Sequence, residues 1–324
     1  MMILTSLLMG CAPTVYKPGR PVIEAQLLDD RFLTPDGSWL PVRQWLPDSG
    51  QTKAVLIALH GFNDYSRFFE KPGEYLKEQG IASYAYDQRG FGQSPRKGLW
   101  SGVDAYTGDL DLFVRLIKSR YPGVPVYLLG ESMGGAVIIA AMARERMTPV
   151  DGLILSAPAV WARATMPWYQ RGLLWLLSHT LPRMTLTGRS LEITPSDNID
   201  MLIDLGKDPL VIKETRVETI HGLTDLMDAA FDNAGKVRFD TLMLYGEKDE
   251  IIPKKPTLRF LNDFLENGAG SKTVAFYENG YHMLLRDLQA EVIWQDIAAW
   301  IKSGDQPLPS GADRRDWKML ANSG

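Results

Sequence analysis

The stretch Val126-Tyr127-Leu128-Leu129-Gly130-Glu131-Ser132-Met133-Gly134-Gly135 decides how the rest of the chain is read. Its first four residues are apolar without alternation, as a parallel strand covered on both faces should be. Residues 130–134 then match G-x-S-x-G, the pattern in which a serine occupies a sharp turn between a strand and a helix. The residues two before and two after that serine approach so closely that a side chain on either would clash, hence glycine at 130 and 134. Small residues follow, with helical spacing over 134–146. A helix that begins there aims its first amides and its partial positive charge at the serine, which makes Ser132 a candidate nucleophile.

Outward from this turn, short apolar strands are expected at 54–59, 82–86, 126–129, 152–156, 241–245 and 273–277. Between them helices are expected at 68–79, around Leu110, Phe113, Val114 and Ile117, and at 134–146, 256–265 and 288–301. Such alternation predicts an α/β fold: a mostly parallel central sheet flanked by helices, with any site at the C-terminal ends of the strands. Residues 22–45 read as a leading hairpin turned at Asp36-Gly37. The rhythm breaks over 159–236, too long for a loop, which predicts an inserted helical cap. Within it Trp168-Tyr169 and the run 173–177 are large and apolar. They either form the cap's own core or, with Trp168 and Trp175 foremost, line an acyl-sized pocket or face a lipid surface. The chain thus divides into a leading signal or anchor and linker segment (1–21), a first core part (22–158), the cap (159–236), a second core part (237–303) and a polar, loosely held tail (304–324).

A net charge of -4 and the lack of any Lys/Arg cluster argue against nucleic acid as a partner. The only cysteine is Cys11, so an internal disulfide and a Cys/His zinc site are excluded by count, and the four histidines are too scattered for a zinc pair. No metal and no cofactor is implied. Residues 1–11 form an apolar run ending in Leu8-Met9-Gly10-Cys11, which resembles a bacterial lipoprotein signal. That resemblance implies that the Cys11 thiol carries lipid and tethers the protein to the cell envelope; the alternative is an inert thiol in a cytoplasmic protein. No run approaches the ~18 to 20 apolar residues of a membrane span, so any attachment is peripheral.

A serine hydroxyl needs a base to take its proton. His179 and His221 fall inside the cap, whereas His282 follows the last predicted strand in Asn279-Gly280-Tyr281-His282. The imidazole in turn needs a carboxylate. Asp249, after the strand at 241–245, is preferred over its neighbours Glu247 and Glu250 because the turn 246–248 carries the chain over the sheet before it and Ile251-Ile252-Pro253 buries the segment after it. For an oxyanion, the amide of Met133 and that of Phe62, in the loop after the strand at 54–59, are the candidate donors. His60 reads as a loop organiser.

Together, His60-Gly61-Phe62, Asp87-Gln88-Arg89-Gly90-Phe91-Gly92-Gln93-Ser94, the turn 130–134, Ser156-Ala157-Pro158, Gly246-Glu247-Lys248-Asp249 and Gly280-Tyr281-His282 resemble the monoacylglycerol lipase and lysophospholipase group of α/β-hydrolases over about 52–301. The resemblance implies the α/β-hydrolase fold and hydrolysis of a small lipid-like ester in two steps. It also implies an oxyanion role for the Phe62 amide and a structural role for Asp87 and Arg89. Membrane contact through the cap and an N-terminal lipid fits that substrate. A thioesterase, acyltransferase or peptidase would use the same triad, and a non-catalytic lipid-binding lipoprotein is the alternative of another kind. The cap varies most within the group, so chain length and head group are not legible, nor is oligomeric state.

Overall fold

Each apolar run is a strand in the computed structural model, which describes residues 12–48, 52–144, 146–188, 193–304 and 306–315. Cys11 lies outside the described residues. Strands β1 (Gln26–Leu27), β2 (Arg31–Leu33) and β3 (Trp39–Trp45) form an antiparallel leader, with β2 and β3 hairpinned through Asp36. The buried strands β4 (Ala54–Leu59), β5 (Ile81–Tyr86), β6 (Val126–Glu131, half-buried only at Tyr127), β7 (Gly152–Ser156) and β10 (Thr241–Gly246), with β11 (Lys272–Tyr277) at the edge, run parallel. The order across the sheet is β1-β2-β3-β5-β4-β6-β7-β10-β11.

Period-2 alternation sends successive side chains to opposite layers. Val55, Ile57 and Leu59 pack under α2 (Val103–Arg120), α3 (Met133–Met142) and α7 (Lys254–Asn267), while Leu56 and Ala58 pack under α1 (Glu70–Glu78) and α8 (Ala290–Ser303). The helix at 68–79 is split, because residues 66–69 form a tighter 3-10 turn before α1 begins.

The insertion between β7 and β10 holds α4 (Trp168–Thr180), α5 (Ile199–Lys207) and α6 (Val217–Phe231), plus the two-residue strands β8 (Thr185–Leu186) and β9 (Thr215–Arg216). It is not all cap. Leu226, Met227 and Ala230 of α6 are buried against α3 in the main core, so α6 fastens the insertion to the body. By contrast, α4 lies on α6 with only Ser178 buried.

The tail is a correction. Leu308 and Ala312 are buried in the layer under α8, Ser310 donates to Asp296, and Arg315 reaches Glu278 at 3.0 Å. Two small apolar groups and an anchored serine hold residues 306–315 down despite their polar composition.

Candidate active site

The turn after β6 has the conformation that the sequence requires. Ser132 sits at φ 52, ψ -113, a region costly for any residue with a side chain, and α3 begins at Met133. A Cβ added to Gly130 would lie 2.4 Å from the carbonyl carbon of Gly134, and one added to Gly134 would lie 2.2 Å from the carbonyl oxygen of Leu59. The strand, the helix and the neighbouring strand therefore close on one another only without side chains at 130 and 134. The backbone is pinned further by the Ser132 amide donating to Ser156 and the Ala159 amide donating to Ser132, each at 2.9 Å.

Two loops at the same end of the sheet carry the other predicted residues. Gly246 and Gly280 touch backbone to backbone, since a Cβ on Gly246 would meet the Gly280 carbonyl carbon at 2.4 Å, and the Lys248 amide donates to the Gly280 carbonyl at 3.0 Å. This junction sets Asp249 Oδ2 2.9 Å from His282 Nδ1, both residues being buried. Asp249 Oδ1 accepts from the amides of Ile251 and Ile252 at 2.8 and 3.0 Å. A carboxylate can only accept, so the ring proton sits on Nδ1 and Nε2 keeps its lone pair. The rivals point elsewhere: Glu250 accepts from the Thr194 amide, and Glu247 faces Arg315.

Burial disfavours the His282 imidazolium, but the charge and hydrogen bond of Asp249, with help from Glu131 and against Arg286, outweigh it and raise the ring above its ordinary 6.5. His60 is a loop organiser, as expected: buried, its Nε2 accepts from the Gln88 amide at 3.0 Å and its Nδ1 lies 2.8 Å from the Gly61 carbonyl. Desolvation pushes it down, in keeping with a neutral ring.

Phe62 follows Gly61, where an added Cβ would lie 3.4 Å from the Cβ of Ser132, so the loop after β4 passes beside the serine. Met133 is the first residue of α3, where an amide has no acceptor within its own helix. The Asp87 and Arg89 segment is structural. Asp87 accepts from the amides of Ser66 and Gln93, and Arg89 bridges Asp36 of the hairpin turn and Asp109 of α2.

Trp168 and Trp175 are a correction for two of the three readings offered: at 78% and 60% exposure they are neither a cap core nor a sealed pocket wall, and the lipid-facing reading stays open. With Leu173 and Leu176 they form an open apolar face on α4, and Leu181 is exposed just past its end. A cavity of about 530 Å³ instead opens beside the site, between α5, the loop after β4 and the chain after His282; Asp64, Arg286 and Asp287 line it, and Ser132 and His282 do not.

Two features were missed from sequence. One is a strap, residues 194–198 of the insertion, bonded to the acid and base loops. The Thr194 amide donates to Glu250, the Met283 amide to the Pro195 carbonyl, the Ser196 hydroxyl to Asp287, and Asn198 Nδ2 to the Arg286 carbonyl. The other is a buried ion cluster, in which Arg286 lies 2.7 Å from Glu131 Oε1 and 2.7 Å from Asp64 Oδ2. Its one sequence signal is a carboxylate, Glu131, at the end of an otherwise apolar strand.

A strained serine at a strand-to-helix turn, on a mostly parallel sheet with a helical insertion, defines an α/β-hydrolase. The chain is an enzyme, a serine hydrolase of the lipase and esterase type. It belongs to the hydrolase family described as serine aminopeptidase, S33, whose profile matches residues 50–289. It is 30% identical over 272 residues to the monoglyceride lipase of Mus musculus, covering 82% of this chain and 88% of that one. To the monoacylglycerol lipase of Mycolicibacterium smegmatis it is 23% identical, over 80% of this chain and 91% of the relative. Among solved structures, the monoacylglycerol lipase of Paleococcus ferrophilus superposes with a TM-score of 0.68 at 23% identity, covering 82% of this chain and 98% of that one.

Proposed function

We propose that Ser132, His282 and Asp249 form a catalytic triad that hydrolyses monoacylglycerol-like esters, with the amides of Phe62 and Met133 as the oxyanion hole. The observation that carries this reading is the strained Ser132 turn at the same sheet end as a buried His282–Asp249 pair 2.9 Å apart. Ser132 Oγ attacks the ester carbonyl while His282 Nε2 takes its proton. The tetrahedral oxyanion collapses, the C–O bond breaks, and His282 passes the proton to the departing alcohol. Water then attacks the acyl-enzyme, giving its proton to His282, and the fatty acid leaves as Ser132 regains its hydrogen.

The substrate class rests on the monoglyceride lipases among the relatives and on the apolar face of α4, which suits a lipid–water interface. No described helix is long and apolar enough to cross a membrane. A lipid on Cys11 would add a second attachment to the membrane. The Thr14 amide donates to Glu218 at the start of α6, and the Glu218 amide donates to the Pro182 carbonyl just past α4, so residue 14 is tied to the cap. The reading we favour is a lipid-anchored enzyme of a bacterial cell envelope, supported by the lipoprotein-like sequence before Cys11 and the exposed apolar side chains of α4.

A fluorophosphonate probe tests the chemistry: the wild type should be labelled stoichiometrically, and Ser132→Ala should lose the label together with at least about 10⁴-fold in kcat on a nitrophenyl ester. An unlabelled wild type would end the reading and favour a non-catalytic lipid binder. Comparing monoacylglycerols, lysophospholipids, acyl thioesters and aminopeptidase substrates assigns the acyl donor, and faster cleavage of amides would replace the lipase reading with that of a peptidase.

A further inference from the structure

The buried cluster behind the serine joins three loops that are remote in sequence. Glu131 is the residue before Ser132, Arg286 lies four residues after His282, and Asp64 lies two residues after Phe62. One guanidinium meets both carboxylates, Nη2 to Glu131 and Nη1 to Asp64, and all three residues are buried. The arrangement is costly as a device for stability alone. Removing three charges from water is repaid only when every lone pair and proton finds a partner, yet Glu131 Oε2 and Arg286 Nε are buried without a hydrogen bond. An apolar trio would hold the same loops as firmly without orienting them.

We propose that Arg286 and Glu131 are positioning residues, the guanidinium bridge fixing the His282 loop in register with the nucleophile turn and with the loop that bears Phe62. This rests on reading Ser132, His282 and Asp249 as the triad. The bridge acts on geometry because its planar fork must satisfy two acceptors at once, which a lysine point charge cannot do. It acts on charge because His282 is faced by Asp249 from the loop after β10, by Glu131 from the end of β6 and by Arg286 from its own loop, with Asp64 behind Arg286. Glu131 favours the imidazolium and Arg286 opposes it. The strap meets this loop through the Pro195 carbonyl, and its nearest charge, Asp197, accepts from the Leu288 amide.

The test compares Glu131→Gln, Arg286→Lys and the triple variant Asp64→Asn/Glu131→Gln/Arg286→Met, each checked for folding by thermal melting, on a soluble short-chain nitrophenyl ester across pH. Glu131→Gln removes the charge that favours protonation and leaves the one that opposes it, so the acid limb of kcat/KM should move to lower pH while kcat falls about 10- to 100-fold, the scale of a misplacement near 1 Å. Arg286→Lys keeps the charge and should lower kcat with the limb unmoved and KM little changed. The triple variant removes all three buried charges, leaves no carboxylate without its guanidinium, and so safeguards the test if a single variant fails to fold; it too should lose kcat. Folded variants with wild-type kcat and an unmoved limb for Glu131→Gln would overturn the proposal. If the wild type takes the fluorophosphonate label while these variants match it in rate, the triad stands and only the bridge fails.

Discussion

Replacing Asp249 by Asn probes the step on which the chemistry turns. Asp249 accepts three hydrogen bonds: Oδ1 from the Ile251 and Ile252 amides, Oδ2 from His282 at 2.9 Å. Asparagine keeps the Oδ1 acceptor, so the two amides stay satisfied and the loop keeps its course. Its amide NH₂ must then occupy the Oδ2 position, facing the ring as a donor. His282 answers by moving its proton from Nδ1 to Nε2, which leaves no lone pair for the serine proton. A wrong tautomer of this kind costs about 10⁴-fold in kcat in a serine protease, or about 5.4 kcal/mol in barrier height. The expectation is therefore a loss near 10⁴-fold on a short-chain nitrophenyl ester at neutral pH, with melting temperature little changed. The acid limb loses meaning, because the residual activity no longer depends on an imidazole base. A well-folded Asp249→Asn enzyme within ten-fold of wild type would refute the tautomer argument and turn attention to Glu250.

The raised His282 pKa sets a direction: the neutral ring is the active form, so kcat/KM should rise with pH and reach half its plateau above 6.5, and a half-point below 6.5 would show that burial outweighs Asp249. Trp168→Ala/Trp175→Ala should lower activity on monoacylglycerol in vesicles about 10-fold and leave activity on a soluble short-chain ester within two-fold, because both rings lie outside the reacting centre; equal losses on both substrates would mean that α4 shapes the site itself. Amide hydrogen exchange should be fast along α4, which buries only Ser178, and slow at Met283, whose amide donates to the strap; uniform protection across both would contradict a locally loose α4.

Most of the sheet was legible because a strand buried on both faces leaves an unmistakable apolar run, and β7 falls at 152–156 as expected. The Ser132 turn was legible because its glycines answer to steric contact between neighbours, which a short motif can encode. His282 and Asp249 followed from topology, since both loops end strands that reach the same rim. What escaped has no local period. Glu131 and Arg286 are 155 residues apart, and no spacing rule links them. Leu308 and Ala312 are isolated apolar residues in a polar stretch, so their burial under α8 depends on a surface made elsewhere. For α4, Trp168-Tyr169 and the run 173–177 indicated large apolar side chains but not the direction they would face. Because α4 rests on α6 through Ser178, His179 and the half-buried Leu174 and Leu177, the opposite side, with Trp168, Leu173, Trp175 and Leu176, was left to solvent.

The insertion therefore does two separable things. Its strap, with Ser196 fully buried and bonded to Asp287, belongs to the scaffold that holds the acid and base loops. Its first helix, α4, is largely exposed and rests on α6, with His179 against His221. A lid that carried the strap with it would break bonds to Glu250, Met283, Arg286 and Asp287 at each opening, disturbing the pairing of His282 with Asp249. Movement confined to α4 breaks none of them. Under the proposed function, the division would let the apolar face meet a lipid surface while the proton-transfer geometry stays fixed. The insertion is also held at both ends, Ala159 beside Ser132 and α6 against α3, each built into the core before the outer part departs from it.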